Sequence, residues 1–196
     1  MPAGQPIFSA RLRPVRVPAG RRRPSVWVAL FLLLTTACLG ARPVSEYEVK
    51  AAFLLNFARF VEWPAASHPD ADSPLVIGIV GDDPFGEALP RIVKGQTAHG
   101  RRIEIRHFKE DGDHGACHLL FLSRSVAGRS DRILPSLRGR AILTVSEEEN
   151  FARQGGVIGF ALVDQTVRFD INLKAAAQAE LRISSKLLNV ARSVVE

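Results

Sequence analysis

The chain has 196 residues, 46% of them hydrophobic, and a formal net charge of +6. That length allows one domain comfortably and two only with difficulty. The charge does not point to a nucleic-acid partner: six arginines precede Arg42 with no acidic residue among them, and from Arg42 onward 20 Lys and Arg are matched by 20 Asp and Glu.

Residues 1–41 read as an export signal. Arg21, Arg22 and Arg23 form a positive n-region, residues 26–34 (VWVALFLLL) a continuous apolar run, and TTACLGA a small-residue stretch suited to cleavage after Ala41. The run falls short of the roughly 20 residues a bilayer-spanning helix needs, which ranks an uncleaved anchor second. A lipoprotein modified at Cys38 ranks lower, because Thr35 stands where a lipobox usually has leucine. Pro24 and Ser25 stand where a twin-arginine signal has an apolar pair. Export places residues 42–196 in the periplasm as a single domain, large enough to bury about 70% of its unfolded surface. Cleavage after Ala41 leaves Cys117 as its only thiol, so no intramolecular disulfide is expected.

Ser45-Glu46-Tyr47-Glu48 fits a capping box, with Val44 and Val49 at staple positions. The helix it opens carries a stripe of Tyr47, Ala51, Leu54, Ala58 and Val61, widened by Phe53, Phe57 and Phe60. It ends before Trp63-Pro64. PLVIGIVG (74–81) reads as a buried strand. Asp83-Pro84 predicts the N-cap and first position of a helix over 85–93. In RRIEIRHF, Ile103, Ile105 and His107 share one face while Glu104 and Arg106 share the other. CHLLFLS (117–123) and AILTVS (141–146) are further strands, separated by a helix over 130–137. NFARQGG predicts a helical turn stopped by Gly155-Gly156. VIGFALV and TVRFDIN form a hairpin across Asp164-Gln165, and Asn172 caps a long terminal helix with a stripe through Leu173, Ala177, Leu181, Leu188, Ala191 and Val195. Strands separated by helices favour parallel pairing. The expected fold is an α/β three-layer sandwich, its sheet mostly parallel with a C-terminal antiparallel hairpin, flanked by long N- and C-terminal helices.

Three groups of residues could carry chemistry. His107, His114, Cys117 and His118 have the donor types of a zinc or copper site. However, Cys117 and His118 are adjacent in a predicted strand and point to opposite faces, so no metal is expected. HGACH has His114 where covalent haem attachment needs its first cysteine, so no haem is expected either. Asp82, Ser123 and Thr144 end, or lie near the end of, predicted parallel strands, where ligand pockets form. Receiver-type phosphorylation is not expected there, because no lysine ends a later strand in the required place. Gly155-Gly156 precedes a strand and is not a phosphate loop. No catalytic residue and no cofactor is predicted.

Read together, KAAFLLNFARFVEWP, LVIGIVGDDPFGEAL, CHLLFLS and GGVIGFALVDQTVRFDIN running into SSKLLNVARSV resemble the YfiR family of bacterial periplasmic regulators. The resemblance covers roughly residues 46–194. It implies a non-catalytic protein that binds and inhibits an inner-membrane diguanylate cyclase, with an outer-membrane protein as a possible second partner and a homodimer as the working form. It also implies that Cys117 matches a family cysteine whose usual disulfide partner would lie in LVIGIVG, which has none. The apolar residues expected to meet the partner are those left over by the core stripe of the first helix: Phe57, Phe60 and Trp63. The first rival reading is a small-molecule sensor with its pocket at Asp82, Ser123 and Thr144, and the second, ranked below it, is an enzyme with a metal at the His107, His114, Cys117 and His118 cluster.

Overall fold

The computed structural model describes residues 44–68, 70 and 72–196, and the predicted export signal, Cys38 included, lies outside them. The capping box forms as expected: Ser45 accepts from the Glu48 N–H while the Glu48 carboxylate accepts from the Ser45 N–H. It opens helix α1, Glu46–Phe60. Val44 is 69% exposed, so the predicted staple does not pack.

Ten strands follow: β1 Val61–Glu62, β2 Leu75–Val80, β3 Thr97–Ala98, β4 Arg101–Phe108, β5 Leu119–Leu122, β6 Leu143–Ser146, β7 Ile158–Val163, β8 Thr166–Asn172, β9 Arg182–Ile183 and β10 Ser193–Val195. Four short helices intervene: α2 Ala88–Val93, α3 Ser130–Ser136, α4 Leu173–Gln178 and α5 Ser185–Leu188. Eight strands form one sheet in the order β10-β8-β7-β6-β5-β2-β4-β3, and β1 pairs separately with β9. The pairs β10/β8, β7/β6, β6/β5, β5/β2 and β2/β4 are parallel, while β8/β7 and β4/β3 are antiparallel. The fold is therefore mixed α/β with a mostly parallel sheet, as the alternation of segments predicts.

Strand β2 is buried along its whole length because it packs on both faces. Leu75, Ile77 and Ile79 join a cluster with Leu54, Phe57 and Phe169, whereas Val76 and Val80 join Cys117, Leu120 and Phe151 on the other side. The β7–β8 hairpin turns through Asp164 and Gln165, both at positive φ (47° and 60°), the backbone that a tight two-residue hairpin requires. At Gly156 a side chain has no room: a Cβ would stand 2.0 Å from the buried Phe151 ring.

Two predicted helices are shorter than expected. Asn172 does cap a helix, accepting from the Ala175 N–H at 2.8 Å, but α4 stops after six residues. The Leu181 N–H bonds the Ala176 carbonyl and the Glu180 N–H bonds the Ala177 carbonyl, a Schellman stop with Glu180 at φ +55°. The chain then pairs as β9, restarts as α5 under a Ser184 cap, and ends in β10. No long C-terminal helix exists among the described residues. In the second case Asp83 accepts from the Phe85 N–H in a local turn, and α2 begins only at Ala88, after Gly86 at φ +50°.

Candidate functional site

The histidines and the cysteine do not converge. His107 pairs with Asp83 at 2.9 Å on an exposed surface, and the His114 Nε2 meets the Lys109 carbonyl at 2.9 Å. His99 Nε2 meets the Val61 carbonyl at 2.7 Å. Cys117 ends the turn His114–Ala116 rather than opening a strand; β5 starts two residues later. Its thiol is buried and lies 3.1 Å from the His114 carbonyl. Burial pushes the thiol up to about 12, a shift that Arg140 and Arg106 only partly oppose.

His118 is the most heavily used residue of this stretch. Its N–H bonds the Val76 carbonyl at 2.9 Å, and its own carbonyl accepts from the Leu143 N–H at 2.8 Å and from the Trp63 indole N–H at 3.0 Å. Its ring Nδ1 accepts from the Val76 N–H at 3.0 Å. That bond fixes the proton of the neutral ring on Nε2, which faces the Ser67 carbonyl and His68 Nδ1, each at 3.1 Å. The His68 ring stacks on it, centroids 4.6 Å apart. This tautomer argues against a metal at His118, since Nε2 carries the proton and the lone pair of Nδ1 is taken by Val76. Burial, and after it His68, push the ring down to about 4. His68 is also lowered, by burial first and then by Arg101 and His99.

Asp82 and Ser123 come together at the carboxyl ends of β2 and β5. The Asp82 N–H bonds the Ser125 hydroxyl at 2.8 Å, and that hydroxyl lies 2.8 Å from Ser123 Oγ. The two serines fill the crevice so closely that a Cβ on Gly81 would meet them at 2.4 and 2.6 Å. Thr144 is elsewhere. It accepts from the Val157 N–H at 3.0 Å and lines a cavity of about 710 Å³ with Arg138, Arg140, Gln154 and Gln178. A second cavity of about 590 Å³ shares Arg140 and Gln178 and reaches Cys117, His118 and Arg106.

The aromatic trio also divides. Phe57 is fully buried, stacked on Phe53 and set against Phe160 and Phe169, so it is core rather than free surface. Phe60 and Trp63 are half-buried, Phe60 with the Lys186 ammonium 5.5 Å from its ring centroid.

One cluster escapes sequence reading. Lys50 is 3% exposed and bonds Glu147, itself buried just after β6, and Glu46 one helical turn back. Glu147 also accepts from the Tyr47 hydroxyl at 3.2 Å and lies 3.7 Å from the Arg124 guanidinium. The ammonium stands 4.7 Å from the Tyr47 ring centroid. Burial foremost, then Glu147, raises the Tyr47 phenol. The available signal was Lys50 itself, a lysine three residues after Tyr47 and four before Leu54, on the apolar stripe of α1.

Apart from Glu46, both clusters, and nearly every element named above, lie within residues 47–192, which match the model of the YfiR/HmsC-like family. The chain belongs to that family. The match runs from the first turn of α1 to the residue before β10, so the YfiR/HmsC-like unit and the described domain are nearly coextensive. Among the described residues of this YfiR/HmsC-like protein, no helix is long and apolar enough to cross a membrane.

Proposed function

We propose that this protein is a non-catalytic periplasmic regulator that binds and inhibits a membrane-bound diguanylate cyclase, and so holds down cyclic-di-GMP. The observation that carries the reading is the family match over residues 47–192: members regulate diguanylate cyclases and are generally non-catalytic. The export signal read in residues 1–41 supports delivery to the periplasmic side. The contact surface is built on the solvent-facing parts of Phe60 and Trp63, where α1 gives way to β1 and the following loop; Phe57 backs them from the core. The working form is a homodimer, and an outer-membrane protein is a second partner able to sequester it. Neither a cofactor nor nucleic acid enters this role.

Deleting the gene should raise cyclic-di-GMP and increase surface attachment, and the chain supplied in trans should reverse both. An unchanged cyclic-di-GMP level in the deletion strain overturns the reading.

The two cavities, of about 710 and 590 Å³, favour a second reading as a small-molecule sensor. On this reading the site is the cavity of about 710 Å³ lined by Thr144, Arg138 and Arg140, and Asp82 and Ser123 are not part of it. A ligand of the native state raises the melting temperature by mass action, so a thermal-shift screen decides this reading.

A further inference from the structure

Strand β4 is the longest of the sheet, and its outer side is almost bare. On the inner side Ile103–Phe108 pair with β2, but on the outer side β3 meets only Arg101 and Arg102. From Ile103 to Phe108 that outer edge has no strand partner among the described residues. A parallel ladder uses the N–H and C=O of alternate residues, so half of these residues turn both groups outward. Among the described residues those groups find no partner. Exposure agrees: β2, one strand in, is buried throughout, whereas every residue of β4 is partly or fully exposed.

Edge strands are normally kept short, interrupted by proline or guarded by charge. The outermost strand of the opposite border, β10, has three residues. β4 is long, has no proline, and carries charge in a pattern that matches itself. Ile103 and Ile105 pack on the α1 side of the sheet, and Glu104 and Arg106 lie on the other face. A two-fold axis normal to the sheet sets β4 antiparallel to β4 of a second copy and keeps like faces together. Centred on Glu104, that pairing opposes two carboxylates at the axis and sets Arg102 against Arg106. Centred on Arg106, it opposes two guanidiniums. Centred on Ile105, it sets Glu104 opposite Arg106 of the second copy, twice by symmetry, with Ile105 opposite itself. Opposite charges across a strand pair attract and like charges destabilise, so charge selects the third register.

We propose that the outer edge of β4 is the docking surface for a second copy of this chain, whose β4 adds antiparallel about a two-fold axis at Ile105 and joins the two eight-stranded sheets into one. The pairing spans residues 103–107 of each copy and stops where β3 occupies Arg102. Glu104, which accepts from Arg106 of its own strand at 2.8 Å, then stands between two guanidiniums. The surface rests on the homodimer proposed above and is independent of cyclase control.

Expressed from the full-length gene, the chain should sediment as a dimer. Glu104→Arg and Arg106→Glu each set like charges opposite one another, and each should raise the dimer dissociation constant on the order of a hundredfold, with far-UV circular dichroism unchanged. Mixed in equal amounts, the two variants regain opposite charges at both pairs, and a heterodimer should form with about the original affinity. Ile105→Cys should cross-link two copies on oxidation, whereas Ile103→Cys, roughly 13 Å from its own symmetry mate, should not. A chain that stays monomeric overturns both the homodimer and this surface. A dimer that ignores both charge reversals, variants that stay monomeric when mixed, or cross-linking at residue 103 as readily as at residue 105 overturns the β4 edge alone.

Discussion

At the start of α1, Lys50 is buried against Glu147, and a phenol, a second carboxylate and a guanidinium complete a charged cluster at the carboxyl ends of the strands. Just past the end of the same helix, Trp63 meets His118 and His68 in a neutral cluster at the amino end of β5. Both fasten α1 to the sheet through buried polar groups, and among the described residues no buried side-chain nitrogen or oxygen lacks a partner. They differ in what loosens them. An ion pair survives burial only while both charges persist, and is unforgiving when one is lost. The buried neutral ring of His118 keeps its bond from the Val76 N–H only while Nδ1 stays unprotonated. The helix is thus held by charge at its beginning and by a neutral ring just past its end.

The comparison is broken most severely at the charged end. Glu147→Leu leaves the Lys50 ammonium buried with Glu46 as its remaining carboxylate partner, and should cost about 3–5 kcal/mol in urea unfolding. Lys50→Met should be similarly costly, because Glu147 keeps its charge. The double variant should recover most of the loss, since well-packed apolar groups often replace a buried ion pair at little cost. If the two single losses simply add, the residues are not a coupled pair and the anchor lies elsewhere.

At the neutral end, substitution and pH should separate two effects. His118→Ala strands the Val76 N–H and should cost about 1–3 kcal/mol at pH 7, whereas His118→Asn should cost less, because an acceptor remains. The sign of the pH dependence follows from the depressed histidine. The unfolded chain binds the proton near 6.5 and the folded chain only near 4, so the stabilisation is complete above 6.5 and is lost as pH falls towards 4. His118→Asn should flatten the stability profile in that window and leave it otherwise intact. A parallel profile in both proteins would assign the acid sensitivity to other groups.

The two ends were unequally legible in the sequence, for physical reasons. The capping box at Ser45 and the hairpin at Asp164-Gln165 are local: a few neighbouring residues satisfy each other's backbone, and their spacing shows it. Asn172 was equally legible as a cap, but the end of its helix was not, since a Schellman stop usually announces itself with glycine and here Glu180 takes the positive φ. The residues beyond it, LRISSKLL, have helical spacing of leucines, yet Leu181 turns into the core and Arg182–Ile183 supplies the partner strand that β1 needs. Sequence cannot display such a demand, because it arises 120 residues away, at Val61–Glu62. The same holds for Lys50 and Glu147, which lie 97 positions apart and explain each other only once folded. The histidine-rich stretch misled in the opposite direction. Its residues are close in the chain, but each serves a different neighbour, and His118 has its ring partner 50 residues upstream.

Trp63→Phe sharpens the neutral end by a smaller amount. It keeps an aromatic ring but removes the indole donor to the His118 carbonyl, which retains its bond from Leu143; the expected cost is about 1 kcal/mol. If Phe60 and the indole face also meet a partner, repression of cyclic-di-GMP should fall further than so small a loss of stability explains.

The smallest expected effect is also the most discriminating. Cys117 packs in the second core cluster directly beside His118, and burial holds its thiol up at about 12. At neutral pH the native chain should therefore react slowly with a thiol reagent, because both access and thiolate are scarce. The rate should report which opening exposes the sulfur. If labelling follows the global unfolding constant as urea is added, the turn at His114–Ala116 opens only with the whole domain. If labelling at low urea exceeds that constant and is insensitive to denaturant, the amino ends of the strands open locally. In that case Lys50→Met should leave the rate unchanged and His118→Ala should raise it, which would separate the two fastenings of α1 by a single reporter thiol.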